Sequence, residues 1–182
     1  MTKITLFITA LLTGFTINLS AQSTGNATGN ANAKLIKAMT LTETAQLNFG
    51  STLLPNTTGG TVVLASDSNT RTYEGSGGVV AAAIGPAANG AYSVTGTALE
   101  TYALTLPTAA FNVTHATANG GNNTMTVTSM LARFKGANID ATTSALDANG
   151  ADSFTIGATL TVGEDQKAGV YSGDFPISVD YN

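Results

Sequence analysis

Asp174-Phe175-Pro176-Ile177-Ser178-Val179-Asp180-Tyr181 alternates without a break, with Phe175, Ile177, Val179 and Tyr181 in one set and Asp174, Pro176, Ser178 and Asp180 in the other. Successive side chains of a strand point to opposite faces, so this register predicts a strand with one apolar and one polar face. Such a strand needs a sheet beside it and a second layer over its apolar face. Upstream, β-like runs fall at residues 47–49, 60–65, 78–84, 91–96, 102–106, 124–134 and 153–162, and the terminal run extends back to residue 170. Gly, Asn, Asp and Pro punctuate them at 55–56, 75–77, 85–86, 89–90, 119–123 and 149–150. The one helix-like window, residues 137–148, has Ile139 and Leu146 but no apolar stripe, and Thr142, Thr143 and Ser144 weaken it. Many short strands about ten residues apart predict an all-β, immunoglobulin-like β-sandwich with no significant helix.

At the other end, Lys3 is followed by an apolar run over residues 4–17 and then Leu19-Ser20-Ala21-Gln22, the three-part pattern of a secretory signal peptide. The run is shorter than the ~18 residues a membrane span needs, and no later segment comes closer, so no span is expected in the mature chain. The expected organisation is a signal peptide at 1–21, an N-terminal extension at 22–42 and one sandwich domain at 43–182. Export to the cell surface or the extracellular medium follows as the expected location. Without any Cys, the fold must rest on burial, sheet pairing or a partner rather than on disulfides.

The extension reads QSTGNATGNANA over residues 22–33, the composition of a flexible leader, yet it carries a period of two. Ala27, Gly29, Ala31, Ala33 and Leu35 occupy odd positions against Asn26, Asn30, Asn32 and Lys34, and Met39 and Leu41 resume the odd register beyond Lys37. One face is small or apolar and the other polar, the pattern of a strand with a place to insert.

Charge and chemistry exclude much else. Seven Lys and Arg stand against eleven Asp and Glu, with one cation in the leader, so no basic stripe is available for nucleic acid. The lone imidazole, His115, lacks the orienting partners of a triad and is expected as a solvated strand-end residue. Asp67, Glu74, Glu100, Asp140 and Glu164 are read as turn and surface acids rather than a hydrolytic pair. Asp147-Ala148-Asn149-Gly150-Ala151-Asp152 resembles a calcium loop in part, but the twelfth position is Ala158 where a bidentate Glu is required, so a polar turn is preferred. Gly75-Ser76-Gly77-Gly78 lacks the Lys-Ser or Lys-Thr of a phosphate loop. Tyr73, Tyr92 and Tyr102 are read as core or cross-strand residues. No enzyme, cofactor or metal is expected.

The terminal alternation together with a penultimate Tyr181 and Gly169 fourteenth from the end resembles the C-terminal motif of pilus subunits assembled by the chaperone-usher pathway. More widely, Leu47-Asn48-Phe49-Gly50, the runs starting at Tyr92 and Tyr102, residues 156–163 and residues 168–175 resemble a family of uncharacterised secreted bacterial domains. That family is similar to the common-pilus (Mat/Ecp-type) major fimbrial subunits, and the resemblance spans residues 34–182. It implies a pilin-like sandwich polymerised by strand donation between identical subunits, with a periplasmic chaperone and an outer-membrane usher as partners. On that reading Ala31, Ala33, Leu35, Met39 and Leu41 are the donor residues, and Gly169, Phe175, Ile177, Val179 and Tyr181 belong to the groove and the chaperone-recognition site. This chain departs from better-known subunits in lacking their disulfide and any bulky aromatic in the donor. The alternative is a monomeric secreted or surface-attached binding or adhesion module, with contacts made by exposed loops such as residues 112–123.

Overall fold

The structure is a computed structural model that describes residues 25–51, 59–74, 85–117 and 122–182. The chain divides into two units, residues 1–34 and residues 35–182. In the first, residues 25–34 are exposed and carry no regular secondary structure. The expected signal peptide, the run at 78–84 and the Gly-rich segment at 75–77 lie outside the described residues, as does the break at 55–56.

The second unit is all-β and antiparallel, and no helix occurs among the described residues. Its strands are β1 (Thr40–Ala45), β2 (Gly60–Leu64), β3 (Arg71–Glu74), β4 (Gly90–Thr95), β5 (Thr101–Thr105), β6 (Phe111–His115), β7 (Thr124–Phe134), β8 (Thr143–Ala145), β9 (Ala151–Val162), β10 (Tyr171–Ser172) and β11 (Ser178–Tyr181). The large sheet runs β1-β4-β9-β7-β6-β10, and β2 joins β9 to β3; the small sheet runs β11-β5-β8. Two antiparallel sheets enclosing alternating side chains make the expected sandwich.

β9 is the hub. β7 pairs along one edge, while the other edge is shared, with β4 from Ala151 to Ile156 and β2 from Ala158 to Val162. The changeover falls at Gly157, where a Cβ would lie 2.3 Å from the Leu64 carbonyl oxygen, so only glycine lets the departing end of β2 approach this closely. On the β7 side the register slips between Thr128 and Leu131, with Ser129 at φ 52°, a bulge that bends the strand.

Alternation along β9 places Phe154, Ile156, Ala158, Leu160 and Val162 inside, and they feed two apolar clusters. The first combines Phe154 and Ile156 with Tyr92, Val94, Phe134 and, from the small sheet, Tyr102 and Leu104. Tyr92 stacks on Phe154 with ring centroids 5.3 Å apart, and Phe134 meets Tyr102 edge-on at 5.8 Å. The second gathers Val62, Val127, Ala158, Leu160 and Val162. No residue of β5, β8 or β11 belongs to that second cluster, so the small sheet lids only the first.

Several elements differ from the sequence expectation. Residues 47–49 make only one isolated bridge, Asn48 to Ala88. The run at 170–181 is two short strands, and the stretch between them contains Pro176, which has no N–H to give a ladder. Residues 112–115, expected in a contact loop, are strand: Phe111, Val113 and His115 alternate with Asn112 and Thr114, and β6 pairs with β7. β3 and β8 were hidden by polar sequences, Arg71-Thr72-Tyr73-Glu74 and Thr143-Ser144-Ala145, whose pairing is set by neighbours rather than by their own apolar content.

Candidate functional site: an open groove beside the last strand

Over the second cluster, where no strand of the small sheet reaches, lies a groove of about 1210 Å³. Its floor is the inward face of β6, β7 and β9, with Val113, Met125, Val127, Leu160 and Val162. One wall is formed by residues 46–51 and the other by residues 166–175 with Ile177. An apolar floor between two irregular walls is the form of a site for an extended chain.

The far wall is fastened by polar contacts from buried side chains. Gln166, 5% exposed, donates from Nε2 to the Asn122 carbonyl (2.5 Å) and to Tyr171 Oη (2.9 Å), and Tyr171 Oη donates to the Lys167 carbonyl (2.5 Å). His115 is buried, not solvated as expected: it ends β6 and its ring stands edge-on to Tyr171 at 5.1 Å. The Thr117 N–H donates to Nδ1 (3.0 Å), which leaves Nε2 to carry the proton toward the Ala168 carbonyl (2.9 Å). Gly169 lies against that ring at φ 150°, and a Cβ there would stand 1.9 Å from Nε2. Its glycine identity is required twice, by backbone angle and by space.

Phe175 and Ile177 line the groove, Phe175 tilted over Phe111 with centroids 5.3 Å apart. Val179 and Tyr181 pack against the first cluster instead, on β11, an edge strand of the small sheet paired only to β5 among the described strands. Of the five expected groove residues, the structure therefore gathers Gly169, Phe175 and Ile177 around the opening and turns Val179 and Tyr181 into the core.

The expected donor residues divide as well. Ala31 and Ala33 are exposed, and Leu35 is 97% exposed. Met39 and Leu41 are half-buried against this chain's own first cluster, and Leu41 pairs opposite Val94 where β1 joins β4. Tyr181 holds the entry to that strand: its Oη donates to the Lys37 carbonyl (2.8 Å) and accepts from the Thr97 N–H (2.7 Å). Sequence reasoning named Tyr181 from its position and missed this contact, whose only trace in the sequence is the interruption of the apolar register at Lys37.

Asp147 and Asp152 of the polar turn are committed to structure. Asp147 Oδ1 accepts from the N–H groups of Asn149 (2.8 Å) and Ala151 (2.9 Å), and those bonds hold its carboxyl below the usual range. Asp152 turns away from it and accepts from Tyr102 Oη (2.9 Å) and Ser144 Oγ (2.6 Å). Burial and the nearby Asp152 raise the Tyr102 phenol's pKa far above its ordinary value. Tyr92, whose Oη lies 3.4 Å from Glu43 at the groove margin, is pushed up to about 12, chiefly by burial and then by the Glu43 charge. No group of three or more metal-ligating side chains occurs among the described residues.

The family described as "Domain of unknown function (DUF4402)" matches residues 39–181, and the chain belongs to it. No curated protein and no solved structure matches.

Proposed function

We propose that this DUF4402 chain is an exported structural subunit of a pilus-like surface filament, joined to its neighbours by strand donation. The observation that carries the reading is the half of the sandwich that the small sheet leaves uncovered: a groove over a finished apolar cluster, lined by Tyr171 and Ser172 of β10, an edge strand whose second edge pairs with no described strand. An edge strand presents N–H and C=O groups to an incoming peptide, and an apolar floor takes its alternate side chains, so one added strand satisfies both. Residues 25–35 are the occupant. They are exposed, alternate small apolar with polar side chains, and precede rather than form the strand that this domain uses for itself. Ala31, Ala33 and Leu35 donate to the next subunit, while Met39 and Leu41 serve their own. Each subunit then offers both a donor and a groove, and a head-to-tail contact propagates without closing.

Electron microscopy and size-exclusion chromatography test this with the mature chain and a variant lacking residues 22–34. Filaments or heat-resistant ladders from the first, and a monomer that takes up a peptide of residues 25–36 from the second, are the expected results. Two equally stable monomers indifferent to the peptide would end the filament reading and leave a monomeric secreted or surface-attached binding module in its place.

A further inference from the structure

Leu99 stands in a conformation its side chain does not favour. It sits at φ 63° in the turn at residues 97–100, where the Glu100 N–H reaches the Thr97 carbonyl at 3.4 Å. Glycine or asparagine is the usual solution at a left-handed turn position, and Gly136 (φ 77°) and Gly150 (φ 75°) fill such positions elsewhere in this chain. Leu99 is 73% exposed, so burial in its own domain does not offset the strain.

The turn has company. The Lys37 N–H donates to Thr97 Oγ1 at 2.6 Å, so Ile36 (44% exposed) and Leu35 (97% exposed) leave the domain from the residue pinned to this turn. Three exposed apolar side chains thus mark the pole from which the donor segment departs. At the opposite end of β5, about 17 Å away at ~3.4 Å per residue, is an apolar pocket of about 490 Å³ formed by Leu106, Pro107, Ala109, Ala110 and Pro176. It shares Phe111 and Ile177 with the strand-accepting groove, so pocket and groove mouth are neighbours.

Resting on the strand-donation reading, the geometry points to a second subunit contact: Leu99 of one copy seats in the Leu106–Pro107–Ala110–Pro176 pocket of the next. Lys37 is anchored, and Leu35 is two residues upstream, a reach of about 7 Å. If Leu35 is the last donor residue, the neighbour's groove must be held within that reach of this pole, and the apolar pocket adjoins the groove. Knob and pocket lie at opposite poles of one molecule, so the contact is heterologous and extends a filament instead of closing a dimer.

The test uses Leu99→Asn, which relaxes the turn, and Ala110→Glu, which puts a charge in the pocket, in the purified protein. Both variants should keep the wild-type unfolding midpoint or exceed it and bind the 25–36 peptide like wild type when residues 22–34 are deleted. Filament growth should fall at least tenfold in each. Since the chain has no Cys, a Leu99→Cys/Ala110→Cys double variant should also give an oxidation-dependent covalent ladder. Wild-type growth of Leu99→Asn filaments, or intact filaments without a ladder, overturns the knob-and-pocket contact while leaving strand donation standing. Failure of the peptide to bind and of the wild type to form filaments overturns both.

Discussion

The Tyr181 hydroxyl bridges two backbone segments, donating to the carbonyl of Lys37 and accepting from the N–H of Thr97, across 144 positions of sequence in the first case. Gly96 makes the bridge possible, since a Cβ there would lie 2.3 Å from the same hydroxyl. Tyr181→Phe keeps the ring and removes both bonds, leaving a part-buried N–H without its acceptor. We expect a loss of about 1–2 kcal/mol in chemical unfolding, with trypsin cleaving after Lys37 at a higher rate than in wild type. An unchanged unfolding curve would show that water replaces the hydroxyl at no cost.

Gly169→Ala places a methyl group against the His115 ring at a backbone angle that alanine avoids. The ring must shift and give up its bond to the Ala168 carbonyl, or the 168–172 segment must move. Either way a fall in stability of about 2 kcal/mol or more is expected, read as a lower thermal midpoint. Gly136→Ala, where nothing lies within 4 Å of the new Cβ, controls for the positive φ alone and should cost less.

Acid stability should depend on Asp140. Burial opposes its ionisation, but the hydrogen bonds from Arg133 Nε (2.8 Å) and Ser66 Oγ (2.5 Å), together with the Arg133 charge, prevail and hold its carboxyl below the ordinary value. A carboxyl lowered on folding contributes stability above its unfolded pKa of ~3.9 and loses it as the pH falls through the lower folded value. Asp140→Asn should therefore be less stable than wild type at pH 7, and the difference should shrink as the pH is taken toward 2. A pH-independent difference would mean that packing, not charge, holds the site.

Alkali should unfold the domain for the opposite reason. Tyr92 is raised to about 12 and Tyr102 is raised as well, so both bind their protons more tightly in the folded state. Their contribution is complete below pH ~10 and is lost as the pH rises through the folded values. Stability followed by fluorescence should decline above pH 10. Tyr92→Phe should lessen the slope; the same decline in that variant would place the effect at Tyr102 or elsewhere.

The period of two carried most of the architecture. It is plain in 91–96 and 153–162, where one face is buried along the run, whereas in 124–134 the bulge at Ser129 shifts the inward positions from Met125 and Val127 to Met130, Ala132 and Phe134. It failed where pairing is dictated by context, as in Arg71–Glu74 and Thr143–Ala145, and where Asn and Thr fill the outer positions of β6. At the groove, Phe175 and Ile177 were readable because their alternation continues into β11. The roles of His115 and Gly169 were not, since they depend on one ring meeting one backbone position 54 residues away in sequence. Nor could the sequence divide the extension, because Leu35 and Met39 share a register while only Met39 packs on the chain's own core.

The central place of β9 sets an order of events. β2 pairs β3 and β4 pairs β1, but the other edge of each waits on the same strand, which begins at Ala151, so until most of the chain is present those two edges have no permanent partner. Pairings of such sequence separation are slow to form, on the scale of milliseconds to seconds, and leave adhesive edges bare meanwhile. These edges stay bare until the last fifth of the chain arrives, and the folding rate should respond most to substitutions at Gly157, where the hub changes partners.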